Sequence, residues 1–266
     1  MSTDELIDII VAPDGKSSEE LVLKVAEIIG RDPSYARAIL NAKIPQISCQ
    51  GTDAQRAERI VQQIKALGLM ALACKDSDLQ KPLHLFKANT LEFGGDGIIF
   101  KDKNSQLLKL GKRKVFLILT GIARTFEEKE VVTKVKKLNI TATLLSGGIP
   151  ISRTTKQKTV ETTVQSEGVI RLFEKNGMDS GVEIRQASFN YACLGTEMAL
   201  SSQQNLNLIT RKIKEFYAEA RFDDRLSRMP ATGTASKAEN LDVNCKLMYR
   251  YYGEKGKSPG GETGGL

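Results

Sequence analysis

The sequence predicts an α+β protein, a small α/β sandwich followed by a mainly antiparallel β domain. Three observations predict it. Over residues 1–78, apolar stripes at helical spacing alternate with short apolar runs. From Lys81-Pro82 the pattern changes to brief two-residue alternations separated by glycines, as antiparallel strands require. One clean helical stripe then returns near 203–220. The expected domains are residues 1–78 and 83–252, with 253–266 as a glycine-rich disordered tail.

Leu6 to Val11 reads as a strand, interrupted at Pro13. Ser17 and Glu20 have capping-box spacing, in which each side chain satisfies a free N–H at a helix start. Behind them Leu21, Val22, Val25, Ile28 and Ile29 share one helix face, ended by Gly30. Asp32-Pro33 opens a second helix that closes before Pro45, and Gln46 to Cys49 is a short strand candidate. Thr52 and Gln55 have the capping spacing again, ahead of a stripe from Ala54 to Leu67 stopped at Gly68. Leu69 to Cys74 reads as the closing strand.

In the second part Leu91 and Phe93, a Gly94-Gly95-Asp96-Gly97 turn and Ile98 to Phe100 make a hairpin. Leu107 to Leu110 follows a further turn, and Val115 to Leu119 is apolar enough for a central strand. Thr141 to Leu145, Val160 to Phe173, Val182 to Arg185 and Phe189 to Cys193 supply more strands. The basic stretch Thr125 to Thr159 reads as an exposed loop or an extra helix between them. Ser201 and Gln204 cap a helix with Leu206, Ile209, Ile213, Phe216 and Tyr217 on one face. Beyond Arg228 the chain reads as loop, and the alternation Leu241, Val243, Cys245, Leu247, Tyr249, Tyr251 predicts an edge strand.

Ile7 to Val11, Lys24-Val25-Ala26, the break at Pro45 and Ala57-Glu58-Arg59-Ile60 running to Leu67-Gly68-Leu69 resemble the C-terminal domain of the bacterial ribosomal stalk protein. The resemblance spans about residues 5 to 75 and implies a bacterial protein with that fold. That family recruits translation factors through a basic helix face. Here the first helix carries Glu19, Glu20 and Glu27 against Lys24, so the resemblance implies the fold without the basic docking surface. About seven strands closed by one amphipathic helix resemble, in their order, the pleckstrin-homology-like barrel, a fold that docks peptides, proteins or lipid headgroups.

Few catalytic constellations fit these residues. Gly15-Lys16-Ser17 lacks the first glycine of a phosphate-binding loop, Ile10 standing in its place. Gly94-Gly95-Asp96 resembles the diguanylate cyclase signature, but Gly97 and Ile98 replace its glutamate and phenylalanine and one carboxylate is missing. Ser146 lies in no nucleophile elbow, and His84 is the chain's one histidine. Cys49, Cys74, Cys193 and Cys245 have no metal or redox spacing. Asp223-Asp224 beside Arg221 and Arg225 reads as a salt-bridge cluster at a helix end. No catalytic residue, metal or cofactor is therefore expected.

The 39 Lys and Arg against 32 Asp and Glu give a net charge of +7, which favours anionic partners. Lys112, Arg113 and Lys114, then Lys134, Lys136 and Lys137, then Arg153, Lys156 and Lys158 are the candidate anion-binding residues. No apolar stretch approaches the ~20 residues of a membrane span, so the expected location is the cytoplasm. The expected function is a non-catalytic cytoplasmic adaptor or scaffold with protein-protein docking surfaces. The alternative is binding of nucleic acid or anionic membrane headgroups through the basic loop.

Overall fold

The computed structural model describes residues 5–13, 15, 17–138, 152–228 and 241–256, with the backbone alone for 125–138 and 152–164. Met1–Ile122 together with Gly168–Leu266 form one compact unit, and Ala123–Glu167 form a second.

In the first unit β1 (Ile7–Val11) is the centre of an antiparallel sheet, between β2 (Gln46–Gly51) and β3 (Ala71–Lys75). Strand alternation sends Ile9 and Val11 to one face, where they meet α1 (Glu19–Ile29), α2 (Pro33–Leu40) and α3 (Ala54–Ala66) through Val22, Val25, Ile39, Leu40, Val61 and Ile64. The caps are more local than the sequence suggests. Ser18, not Ser17, accepts from the Leu21 N–H at 3.2 Å, because Ser17 points its hydroxyl at Asn41 instead. Asp53, not Thr52, caps α3, its carboxylate taking two N–H groups where a hydroxyl would take one. Asp32 and Pro33 open α2 as expected.

Ile10 and Asp8 face the other side of this sheet. Asp8 is fully buried; its Oδ1 accepts from Gln50 Nε2 at 2.6 Å and its Oδ2 has no partner. Burial pushes this carboxyl above its ordinary value, against the Gln50 bond. The folded chain thus binds the proton more tightly than the unfolded one, and ionisation costs stability as pH rises above 3.8. Asp8→Asn is expected to raise Tm at pH 7 by about 2–4 °C, for a gain on the order of 1 kcal/mol. The gain should vanish below pH 3.8 in a thermal series; an equal shift at both ends would remove the buried charge as its cause.

After the short helix α4 (Asp76–Gln80) come β4 (Phe86–Ala88), β5 (Thr90–Phe93), β6 (Gly97–Lys101), β7 (Leu107–Gly111), β8 (Val115–Leu138), β9 (Ser152–Glu174), β10 (Gly181–Arg185), α5 (Ser202–Phe216), β11 (Arg221–Asp223) and α6 (Leu241–Lys255). The strands form a five-stranded sheet ordered β11-β8-β9-β10-β4 and an antiparallel meander β5-β6-β7. Among the described residues none of the sheets closes into a barrel. Two edge strands, β4 on β10 and β11 on β8, join in parallel, while the strands of the meander pair only with one another among the described residues. The meander packs Ile98, Phe100 and Leu110 against Ile118, Ile170 and Leu172 of the large sheet and Leu206, Ile209 and Ile213 of α5. Gly181 is needed on β10, since a Cβ there would stand 2.1 Å from the Leu172 carbonyl oxygen.

Three expected elements differ. The Thr125–Thr159 stretch is neither loop nor helix in its described parts, because β8 runs on to Leu138 and β9 begins at Ser152. Its lysines alternate with Val131, Val132, Val135 and threonines, residues that favour strand. Thr141 to Leu145 lies outside the described residues. Phe189 to Cys193 leads into a 3-10 turn, Tyr191–Glu197, where Asn190 accepts from the Ala192 N–H.

The third difference positions the site. Leu241 to Tyr251 is the helix α6 rather than an edge strand, and helix continues to Lys255, into what reads in sequence as the tail. Val243 and Leu247 meet Ile10, Cys74 and Leu79 under the first sheet. Cys245 and Met248 meet Leu117, Leu119, Phe173 and Leu226 under the second, with Tyr249 and Tyr252 packed beside them. A helix buried on two sides is apolar around most of its circumference, so its 3.6 period is masked and an accidental alternation dominates.

Candidate docking cleft

The C-terminal half of α6 borders a cleft of about 590 Å3. Tyr249 and Tyr252 of α6, Phe116 of β8 and Leu72 and Ala73 of β3 supply its apolar lining, with Lys175, Arg221 and Arg250 as cations and Glu219 and Glu254 as carboxylates. Each aromatic wall is held. Phe116 and Tyr249 meet edge to face at 5.0 Å, and the Tyr249 hydroxyl donates toward the carbonyls of Glu174 and Lys175, at 3.1 Å each. The Tyr252 hydroxyl donates to Asp223 Oδ2 at 2.7 Å. Arg225 donates from Nε to the same carboxylate at 2.8 Å and from Nη1 to the Lys43 carbonyl at 2.9 Å.

Asp223 is buried, which opposes its charge, but the bonds from Arg225 and Tyr252 hold its carboxyl below the ordinary range. Burial and the Asp223 bond together push the Tyr252 hydroxyl up to about 12, so it stays a donor. The expected salt-bridge cluster is present at the end of β11 rather than of a helix: Asp223 pairs with Arg225 and Asp224 with Arg228. Arg221 instead lies over the Tyr252 ring at 5.6 Å. Among the described residues no carboxylate stands within ion-pair reach of Arg221 or Lys175.

The candidate anion-binding residues divide. Lys112, Arg113 and Lys114 are exposed at the β7–β8 turn, with Lys112 4.7 Å from the Phe216 ring centre. Lys134, Lys136 and Lys137 fall on β8 and Arg153, Lys156 and Lys158 on β9, in the second unit, and their side chains lie outside the described residues. Lys16 and Ser146 lie outside them too. Asp96 pairs with Lys109 at 2.9 Å while Gly94 donates to the Gly97 carbonyl, a hairpin turn. His84 is exposed. Burial raises the Cys74 and Cys245 thiols to about 11, which keeps both protonated at neutral pH. Among the described residues no group of three His, Cys, Asp or Glu is placed to hold a metal ion, and no helix is long and apolar enough to cross a membrane.

The chain matches no family model, no curated protein and no solved structure. The cleft is absent from the sequence-based candidates. Its one linear signal is Tyr249-Arg250-Tyr251-Tyr252, aromatics interleaved with a cation, which the strand pattern absorbs.

Proposed function

We propose that the protein is a non-catalytic adaptor that receives a protein partner in the α6 cleft. One observation carries this reading: the hydroxyls of the cleft's two tyrosines are anchored on Glu174 and Asp223, which lie outside its lining, while two cations in that lining lack a carboxylate partner among the described residues. Aromatic and arginine side chains in a preorganised recess are the usual anchors of protein contacts. Gly253 lines the same recess, and a side chain built there meets nothing within 4 Å.

A photoreactive residue at position 253 should therefore crosslink one discrete protein from a native extract. The crosslink should disappear in Arg221→Glu with Tm unchanged. Crosslinks indistinguishable from those of a probe on the exposed face of α3, at Glu58, would overturn the reading.

A second reading has its own observation. Lys214 lies 4.8 Å from the Phe222 ring centre on one face of β11, and Arg221 lies over Tyr252 on the other. Cations interleaved with aromatics suit a nucleic-acid strand. On this reading, affinity for a single-stranded oligonucleotide falls steeply with salt and drops on Lys112→Glu with Lys214→Glu. Salt-independent binding rejects it.

A further inference from the structure

Resting on the cleft as a docking site, we propose that its occupant is an acidic segment of the partner, bound in extended form as a fourth strand along the free edge of β3.

The register supplies the donors and acceptors. Asp76 donates to the Leu6 carbonyl at 2.8 Å and Ala12 to the Met70 carbonyl at 2.9 Å, and the intervening pairs run Ile7↔Lys75, Asp8↔Cys74, Ile9↔Ala73 and Ile10↔Leu72. In an antiparallel ladder bonded and non-bonded pairs alternate. Cys74 and Leu72 therefore bond to β1, whereas the N–H and C=O of Ala73 and the N–H of Lys75 point away from it. No described strand pairs with that edge, and no described group bonds to the Ala73 backbone. Leu72 and Ala73 are the part of β3 that lines the cleft. An extended peptide laid there gains main-chain bonds from β3, and alternate side chains reach Tyr249, Tyr252 and Phe116.

Charge selects its chemistry. Among the described residues Lys175 and Arg221 are cations of the lining without a carboxylate partner, against the carboxylate of Glu219 without a cation, and the chain as a whole carries +7. An acidic segment is attracted by this balance and a basic one repelled. An isolated edge is also a hazard for self-association, and its position inside a charged recess limits access to a segment of complementary charge.

The test uses the full chain and two labelled peptides, acetyl-EVEFEVE-amide and acetyl-KVKFKVK-amide, with amide exchange read by NMR. The acidic peptide should bind, the basic one should not, and exchange at Ala73 and Lys75 should slow by about tenfold or more on binding. Arg221→Glu should weaken binding about tenfold. Ala73→Pro removes the outward N–H without touching a β1 bond and should abolish binding. Should that variant unfold, Gly253→Trp, which fills open space, serves in its place. Binding without protection of Ala73 and Lys75 overturns strand addition and leaves the cleft reading standing. Equal binding of the basic peptide, or no peptide binding while the position-253 crosslink persists, overturns the proposal. Loss of the crosslink as well removes the cleft reading itself. An oligonucleotide that displaces the acidic peptide and crosslinks at position 253 assigns the recess to nucleic acid and overturns it.

Discussion

Arg171→Ala should destabilise the protein by about 3–5 kcal/mol, the cost of leaving a buried charge without its partner. Arg171 on β9 is 4% exposed and donates from Nε and Nη2 to Glu183 at 2.9 and 2.6 Å. Its Nη2 also lies 2.7 Å from Asp242 in the first turn of α6, and Arg185 pairs with Glu183 from the other side. The cluster thus joins β9, β10 and the start of the helix that carries the cleft. Burial works against the Glu183 charge, but the two guanidinium groups outweigh it and hold the carboxyl below its ordinary 4.5. That contribution is present above pH 4.5 and is lost as pH falls through the lowered folded value. The variant's deficit in urea denaturation should therefore be largest near neutrality and shrink in acid, where Glu183 takes up a proton. Arg171→Met with Glu183→Leu should recover part of the loss, because removing both partners leaves fewer buried charges unmatched. A single variant within about 0.5 kcal/mol of the parent at pH 7 would show that water already reaches this cluster.

The sequence discloses structure where a residue's role is local. Asp32-Pro33, the Ala54–Leu67 stripe and the Gly94–Gly97 turn depend on neighbours a few positions away, and each stands where its pattern places it. The caps at Ser18 and Asp53 miss by one residue, since the choice between adjacent oxygens is made by Asn41 and by carboxylate strength. The cleft is legible only in part, for Phe116 meets Tyr249, and Arg221 meets Tyr252, through contacts between residues far apart in sequence. Its central piece, α6, is misread for a physical reason: two cores on opposite sides of one helix erase the polar face that marks a helix.

Lys246→Met tests that double burial from the other side of α6 and should cost about 2–5 kcal/mol. Lys246 is 3% exposed, yet among the described residues its ammonium has no carboxylate within ion-pair distance. It donates instead to the backbone carbonyls of Asp78 at 2.7 Å, Leu79 at 3.0 Å and Lys81, the oxygens left free where α4 ends. Methionine matches the volume but offers no donor, so three carbonyls lose their partner at once. Lys246→Arg keeps the charge, but a planar fork cannot aim at three converging oxygens and should lose an intermediate amount. Burial pulls the ammonium's pKa below 10.5, with Asp242 opposing. In the alkaline window between the lowered value and 10.5 the unfolded chain binds more protons, so the parent gains stability relative to the methionine variant as pH climbs. Urea midpoints at a constant m-value measure both effects. A methionine variant as stable as the parent would mean that α4 ends without help from α6, and that the first sheet and the helix are held together by Val243 and Leu247 alone.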